Sequence, residues 1–350
     1  MKRLALWLGV APLLACALFA CGGLLGLEDR TSGSDAMSGT NDAADASGMD
    51  DASDPAPGHD ASGADASDTW VMLAPMANAR TFPASAAVNG KGYVVGGIFA
   101  GSNPSYALEA YEPLSDSWVA GSPIQKSSWA VSTAVLTSKI YFFGGYELSS
   151  PSAEVRVYDP SDQAWSTAPA MPSARAFTSA VAIAGRAYVF GGDTPTGHST
   201  EVAIYDPNVG VWSSGAAMPT ARDRMSTAVV NGAAYVSGGT DAPETPTPAV
   251  EKYDPATNQW TTRAPMPTPR YDATCAAVNG IVYVIGGHTS LKVRVATVEA
   301  YDPATDTWTR KADMPTPRAE LTSFVIGGRI FVAGGRYGLA DLATLEVYTP

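Results

Sequence analysis

Two adjacent glycines, a tyrosine and a tryptophan return together six times along this chain at a spacing of 47 or 48 residues. The glycine pairs are Gly96-Gly97, Gly144-Gly145, Gly191-Gly192, Gly238-Gly239, Gly286-Gly287 and Gly334-Gly335, and the tryptophans are Trp70, Trp118, Trp165, Trp212, Trp260 and Trp308. Tyr-x-Pro triplets begin at Tyr111, Tyr158, Tyr205, Tyr253 and Tyr301, and the chain ends in a sixth, at Tyr348. A repeat of this length is one small supersecondary unit that cannot bury its own apolar faces and must stack on copies of itself.

The unit from Arg270 to Arg310 shows what is repeated. Thr274 to Val278 is a run of apolar and small residues, Asn279-Gly280 is a type I′ hairpin signal, and Ile281 to Ile285 is β-branched and aromatic until Gly286-Gly287 stops it. A polar stretch precedes Thr297 to Tyr301, and the turn Asp302 to Asp306 leads to a last short strand around Trp308. Four antiparallel strands in 48 residues predict one blade of a β-propeller, all-β, with six blades in the ring. Tyrosine and tryptophan supply the packing between blades. Absence of Cβ at the glycine pair permits positive φ or close backbone approach at the end of the second strand. The region opens on Trp70, which has the phase of a fourth strand, and closes at Tyr348, the phase of a third. The strand around Trp70 is therefore expected to complete the last blade, so that the ring closes and an exposed edge disappears.

From about residue 69 to 350 the chain resembles the kelch-repeat family through its hydrophobic-Gly-Gly, Glu-x-Tyr-Asp-Pro, Trp and Met-Pro-x-x-Arg elements. WD-repeat propellers share the blade plan, but their Gly-His and Trp-Asp signals do not recur from blade to blade.

Upstream of the repeats the composition changes. Lys2 and Arg3 precede an apolar run from Leu4 to Ala20, which reads as a signal peptide over residues 1–20. A retained anchor helix is the competing reading of this run, disfavoured by its length and Pro12. Leu18-Phe19-Ala20-Cys21 resembles a bacterial lipobox, which implies lipidation at Cys21 and a lipidated N-terminus over 21–27. Ala15-Cys16-Ala17 offers a conventional cleavage site and a soluble exported product instead. Residues 28–68 carry ten Asp, one Glu and one Arg, a net −10 of the chain's −12, with too few apolar side chains to offset the entropy of ordering them. They are expected to form a disordered acidic linker that spans about 35 Å or more as a self-repelling coil.

Residues 69–350 carry 19 basic and 23 acidic residues with no basic stripe, which argues against nucleic acid as a partner. Only Cys275 lies there, so no internal disulfide can form; it occupies a small-residue column of the first strand and reads as a filler near the axis. The length-variable segments all fall between the glycine pair and the tyrosine, which makes the rim that carries them the expected binding face. The residue after each glycine pair is Ile98, Tyr146, Asp193, Thr240, His288 or Arg336: six identities at one geometric position. Beside them, one or two positions past a recurring arginine, stand Phe82, Trp129, Phe177, Arg224, Tyr271 and Asp272. The ligand-binding candidates are accordingly Trp129, Tyr146, Asp193, Arg224, Tyr271, Asp272, His288, Arg336 and Tyr337, a set of aromatics with charged neighbours that suits a sugar or an extended peptide. The recurring arginines themselves, Arg80, Arg175, Arg222, Arg270 and Arg318, read either as a repeated structural contact or as an anion-binding ring; Ser128 takes that place in the second unit.

Catalytic chemistry is poorly represented. His198 and His288 lack a second ligand at metal-binding spacing and read as solvated loop residues; no catalytic residue, metal or cofactor is expected. The set of Cys, Tyr and His that serves seven-bladed copper radical oxidases of the same repeat is not offered by this chain. The reading is an exported, membrane-anchored lipoprotein, at the outer membrane or cell surface rather than soluble in the periplasm, that binds a glycan or a protein at the cell envelope and is a monomer. The alternative comes from resemblance to exported, six-bladed bacterial sialic-acid epimerases, with Arg224, Asp272, Glu320, His288 and Arg336 as the groups available for acid, base and carboxylate-binding roles.

Overall fold

The computed structural model describes residues 67–99, 103–126, 129–147, 149–242 and 245–350. The expected export signal, lipidated Cys21 and acidic linker fall on residues 1–66, outside the described residues, except for the linker's last two positions.

Six four-stranded antiparallel sheets form the blades of a propeller. Blade I runs Ala84–Val88, Lys91–Val95, Leu108–Glu112 and Ser117–Ala120, strands a to d from the axis outward. The inner strands of blades II to VI are Ser132–Leu136, Ser179–Ile183, Ser226–Val230, Thr274–Val278 and Thr322–Ile326. Each a–b hairpin is tight, and in blade V Asn279 and Gly280 both have positive φ, 51° and 81°, as a type I′ turn requires. Strands b and c alternate apolar residues toward the two neighbouring blades, so every inter-blade layer is a core. Between blades II and III, for example, Tyr141, Phe143, Val155 and Val157 meet Ala187, Val189, Ala203 and Tyr205.

The recurring tyrosine and tryptophan form the outer part of each layer. They sit opposite one another on strands c and d with ring centroids 5.0–5.1 Å apart in all six blades. The indole N–H then donates to a carbonyl of the segment entering its blade, as Trp308 does to Ala264 at 3.0 Å and Trp118 to Ala74 at 2.8 Å. In four blades the tyrosine hydroxyl donates to an Asp or Asn in the c–d turn region, which also accepts a backbone N–H from the entering segment: Tyr301 with Asp306 is one such pair, at 2.5 Å.

Closure follows the phase of the repeat. Thr69–Leu73 pairs antiparallel with Leu345–Thr349, Trp70 facing Tyr348, and is the outer strand of blade VI. Asp68 takes the acceptor place of Asp306: it receives the Tyr348 hydroxyl at 2.5 Å and the Ala312 N–H at 2.9 Å. The propeller therefore begins at Asp68, one residue earlier than composition suggests, because an aspartate that reads as linker charge is a hydrogen-bond acceptor of the repeat.

The seam between blades VI and I has its own volume match. Phe324 stands in a column filled elsewhere by Ala86, Ala134, Val181, Ala228 and Ala276, and Gly92 faces it from a column filled elsewhere by Ile140, Ala187, Ala234, Val282 and Ile330. A Cβ on Gly92 would lie 2.2 Å from the Phe324 ring. Gly92→Val is expected to destabilise the protein by about 1–3 kcal/mol through overpacking, and adding Phe324→Ala to it is expected to recover most of that loss. Denaturant titration of the two variants checks this, and a double variant no more stable than Gly92→Val would show that the seam is not the source.

Candidate functional site

One rim of the ring is built from the b–c loops and the segments that enter each blade. Arg80, Arg175, Arg222, Arg270 and Arg318 lie on these entering segments with side chains 0% exposed. Each guanidinium meets a glutamate of its own blade, Arg80 with Glu109, Arg222 with Glu251, Arg270 with Glu299 and Arg318 with Glu346, at 2.5–3.0 Å. In blade III the acid is displaced to Glu201, more exposed and 3.4 Å away. In blade II, where Ser128 replaces the arginine, the glutamate of strand c is replaced too, by Arg156, which pairs with Glu154 at 2.6 Å. Burial depresses the guanidinium pKa, in Arg270 to about 10 despite Glu299 beside it. These arginines are structural contacts, fully buried and out of reach of a solvent anion although each keeps an unpartnered Nε.

The arginine backbone holds the neighbouring blade as well. The N–H of the second glycine of a pair donates to the carbonyl of the next blade's arginine: Gly145 to Arg175, Gly192 to Arg222, Gly239 to Arg270, Gly287 to Arg318 and Gly335 to Arg80, at 2.9–3.1 Å. A side chain cannot be added at these glycines; a Cβ on Gly145 would lie 2.7 Å from the Trp129 carbonyl oxygen.

Two residues past each arginine position the chain turns into the mouth of the central channel. Phe82, Ala130, Phe177, Arg224, Asp272 and Glu320 all have positive φ, 50–62°. Their backbones form a chain of hydrogen bonds from blade to blade: Phe177 N–H to Ala130, Arg224 to Phe177, Asp272 to Arg224, Glu320 to Asp272 and Phe82 to Glu320, at 2.8–3.2 Å. Left-handed backbone costs a non-glycine residue about 1–2 kcal/mol, and its repetition at one ring position marks a place where structure is spent on presenting side chains. The residue after each glycine pair bridges to the residue just before this one: Thr81 with Ile98, Trp129 with Tyr146, Ala176 with Asp193, Asp223 with Thr240, Tyr271 with His288 and Ala319 with Arg336. Below the mouth lies a cavity of about 480 Å³ lined by the inner strands, among them Ser85, Thr133, Thr227, Cys275 and Ser323. Cys275 is the small lining residue that its column suggests, and burial pushes its thiol up to about 12.

The mouth has two unlike halves. On one side Phe82, Trp129, Tyr146 and Phe177 form a single aromatic group; Trp129 stacks on Tyr146 at 4.8 Å, and Phe82 and Phe177 meet edge to face at 5.3 Å. Arg224 joins the halves: its guanidinium lies 4.0 Å over the Phe177 ring, and its NH1 is 3.1 Å from Asp272. On the other side Asp223, Asp272, His288 and Glu320 are buried together. His288 stacks on Tyr271 at 5.0 Å and presents Nδ1 to Asp272 at 3.5 Å and Nε2 to Glu320 at 3.9 Å. Arg294 and Arg336 approach Glu320 to 3.6 and 3.8 Å. Tyr146 donates its hydroxyl to Asp193, and Thr240 donates to Asp223. Burial raises the Asp223 and Glu320 carboxyls above their ordinary range, Asp272 adding repulsion to each. For Arg224 burial acts downward, and Asp272 with Asp223 more than reverses it.

Of the candidates named from sequence, Trp129, Tyr146, Asp193, Arg224, Tyr271, Asp272, His288 and Arg336 converge on the mouth. Tyr337 does not: it pairs with Ala340 in the hairpin at the tip of its loop, 54% exposed. The reading of the histidines as solvated loop residues is corrected. His288 is 5% exposed, because its ring stacks on Tyr271 and Arg294 bridges to its backbone, and His198 Nδ1 lies 3.5 Å from Asp223. Asp223, Arg294 and Asp341 complete the site unannounced. Asp223 shares a column with Trp129 and Tyr271 and was legible on that ground, whereas Arg294 and Asp341 lie in loops of irregular length, where no column exists.

Residues 83–263 and, overlapping them, 132–335 match the KLHDC2/KLHL20/DRC7 Kelch-repeats domain. The chain belongs to the kelch-repeat family. It is also 30% identical over 77 residues to Kelch-like protein 35 of Homo sapiens, a stretch that covers 22% of this chain and 13% of the human protein. Kelch propellers commonly mediate protein interactions.

Because the Asp223 carboxyl titrates higher in the folded protein than in the unfolded chain, whose value is about 4, its stabilising protonated form is lost as pH rises through the folded value. Asp223→Asn keeps an acceptor for Thr240 and removes that loss. Thermal melts are expected to place the variant at or above the parent at pH 7, with the difference shrinking toward pH 4; a variant less stable at pH 7 than at pH 4, relative to the parent, would contradict the assignment.

Proposed function

We propose that the chain is an exported, lipid-anchored binding module that recognises a glycan or a protein through the rim carrying the b–c loops. The observation that carries this reading is the divided mouth, an aromatic wall beside a cluster of buried charges, on a hydrogen-bonded ring of strained backbone. An aromatic wall stacks on the apolar face of a sugar or on a side chain of an extended peptide, and Arg224, Arg336 and the carboxylates around them suit its polar groups. The same rim favours a large partner. The b–c loops of three consecutive blades, V, VI and I, expose Leu291, Val293, Tyr337, Leu339, Phe99 and Tyr106. Lys2, Arg3, the apolar run to Ala20 and Cys21 support delivery to an envelope membrane, with the acidic residues 28–68 as the tether.

A second reading, a sugar-modifying enzyme, is favoured by one observation, the buried group of Asp272, His288 and Glu320, of which Asp272 and Glu320 line the cavity.

Binding of the purified chain to a glycan array and to envelope extracts separates these readings. A saturable partner lost in Trp129→Ala and in Arg336→Ala, and kept in Leu114→Ala on the opposite rim, is the expected result. Turnover of a bound sugar would replace the binding reading with the enzymatic one, and a partner insensitive to both mouth variants would remove the site. Metabolic labelling with a palmitate analogue is expected to mark the parent and not Cys21→Ser; label retained in the variant would defeat lipidation at that residue.

A further inference from the structure

The buried acid and imidazole groups at the mouth are more than the binding reading uses. Glu320 is 8% exposed, yet its Oε2 makes no hydrogen bond; His288 is 5% exposed, and its Nδ1 makes none. A buried polar atom without a partner is destabilising, so one on each of two neighbouring side chains marks a place with room for a further ligand. Asp272, His288 and Glu320 each offer one ligand atom, and these atoms lie within 4.8 Å of one another. The arginines nearby do not fill the gap. Arg294 and Arg336 stand 3.6 and 3.8 Å from Glu320, beyond hydrogen-bonding reach, while Arg336 spends its close contact, 2.7 Å, on Asp341.

Around this group the charges balance, Asp272, Glu320 and Asp341 against Arg224, Arg294 and Arg336, so the site stands on the unpartnered atoms and their spacing. We propose that Asp272, His288 and Glu320 form a binding site for one divalent transition-metal ion of the zinc type. One imidazole nitrogen with two carboxylate oxygens is the donor set of such ions rather than of calcium or magnesium, which take oxygen ligands alone. Ligands about 2.1 Å from a tetrahedral ion lie about 3.4 Å apart, so the group closes on an ion by side-chain shifts on the order of an ångström. The ring is already oriented: His288 exchanges backbone hydrogen bonds with Tyr271, 2.8 and 3.1 Å, and stacks on its side chain. With three protein ligands the remaining coordination position faces the cavity that Asp272 and Glu320 line, where an oxygen of a bound ligand or a water completes the shell.

A second group, Asp193, His198 and Asp223, has the same composition and makes the control. Its carboxylates already accept the Tyr146 and Thr240 hydroxyls, and the His198 side chain is 21% exposed. His198 Nδ1 is also buried without a hydrogen-bond partner, so this group differs from the first in its openness and in its occupied carboxylates.

The site is tested on the full chain, stripped with a chelator and dialysed against zinc chloride alone, with bound metal read by elemental analysis. One equivalent per chain is expected in the parent and in His198→Ala, and at least a tenfold loss of affinity in His288→Ala and, separately, in Glu320→Gln, which is near-isosteric and guards against misfolding of the first variant. Cobalt(II) titration adds a readout of the ligands: its visible absorption is expected to depend on His288. Uptake far below one equivalent would overturn the site and leave His288 as a packing residue between Asp272 and Glu320. Uptake undiminished in both mouth variants, or abolished by His198→Ala instead, would overturn it equally by placing the ion elsewhere. None of these outcomes depends on whether a glycan or protein partner is found.

Discussion

In five of the six blades the mouth rests on a buried arginine that holds two blades at once. Its guanidinium is fixed to a glutamate of its own blade, its carbonyl accepts a glycine N–H from the preceding blade, and two residues later the chain enters the channel mouth. Taking an ion pair fully out of water gives little net stability by itself. Removing one partner is another matter, because the charge left behind has no water to turn to, and the loss is about 3–5 kcal/mol. The pair therefore acts as a positional lock rather than as a reservoir of stability. Blade II carries the complementary case: where the arginine is absent, the buried glutamate is absent with it, and Arg156 with Glu154 takes up the space.

That lock explains how so irregular a surface stands on so regular a frame. The six mouth positions share one left-handed backbone and one pattern of inter-blade hydrogen bonds, yet hold Phe, Ala, Phe, Arg, Asp and Glu. Backbone strain is repeated in all six blades and the arginine anchor in five, so side-chain identity is free to vary. The result is an aromatic arc across blades I to III and an acid, base and imidazole arc across blades IV to VI, joined by Arg224 lying on Phe177.

Much of this architecture was legible in the sequence because it is periodic. The Gly-Gly, Tyr and Trp columns define the blades, and the phase difference between Trp70 and Tyr348 defines the closure that the ladder Trp70 to Tyr348 realises. The columns of mouth residues were legible for the same reason. What escaped was set by contacts between distant or aperiodic residues. Gly92 and Phe324 compensate each other across 232 positions, and neither departs from its column in a way that names the other. Asp68 reads as one more linker aspartate until the Tyr348 hydroxyl is seen to reach it. The burial of His288 depends on its bridge to Arg294, which no repeat column predicts.

The central claim is that the arginine column sets the mouth. Native-state hydrogen exchange on Arg318→Lys tests it directly, since lysine keeps the charge and loses the planar fork. The amides of Gly287, Glu320 and Phe82, which lie along the path from the Arg318 carbonyl to the ring of mouth residues, are expected to lose protection, while Gly192, held by Arg222 in another part of the ring, keeps its own. Protection unchanged at all four amides, or lost equally at all four, would contradict the claim.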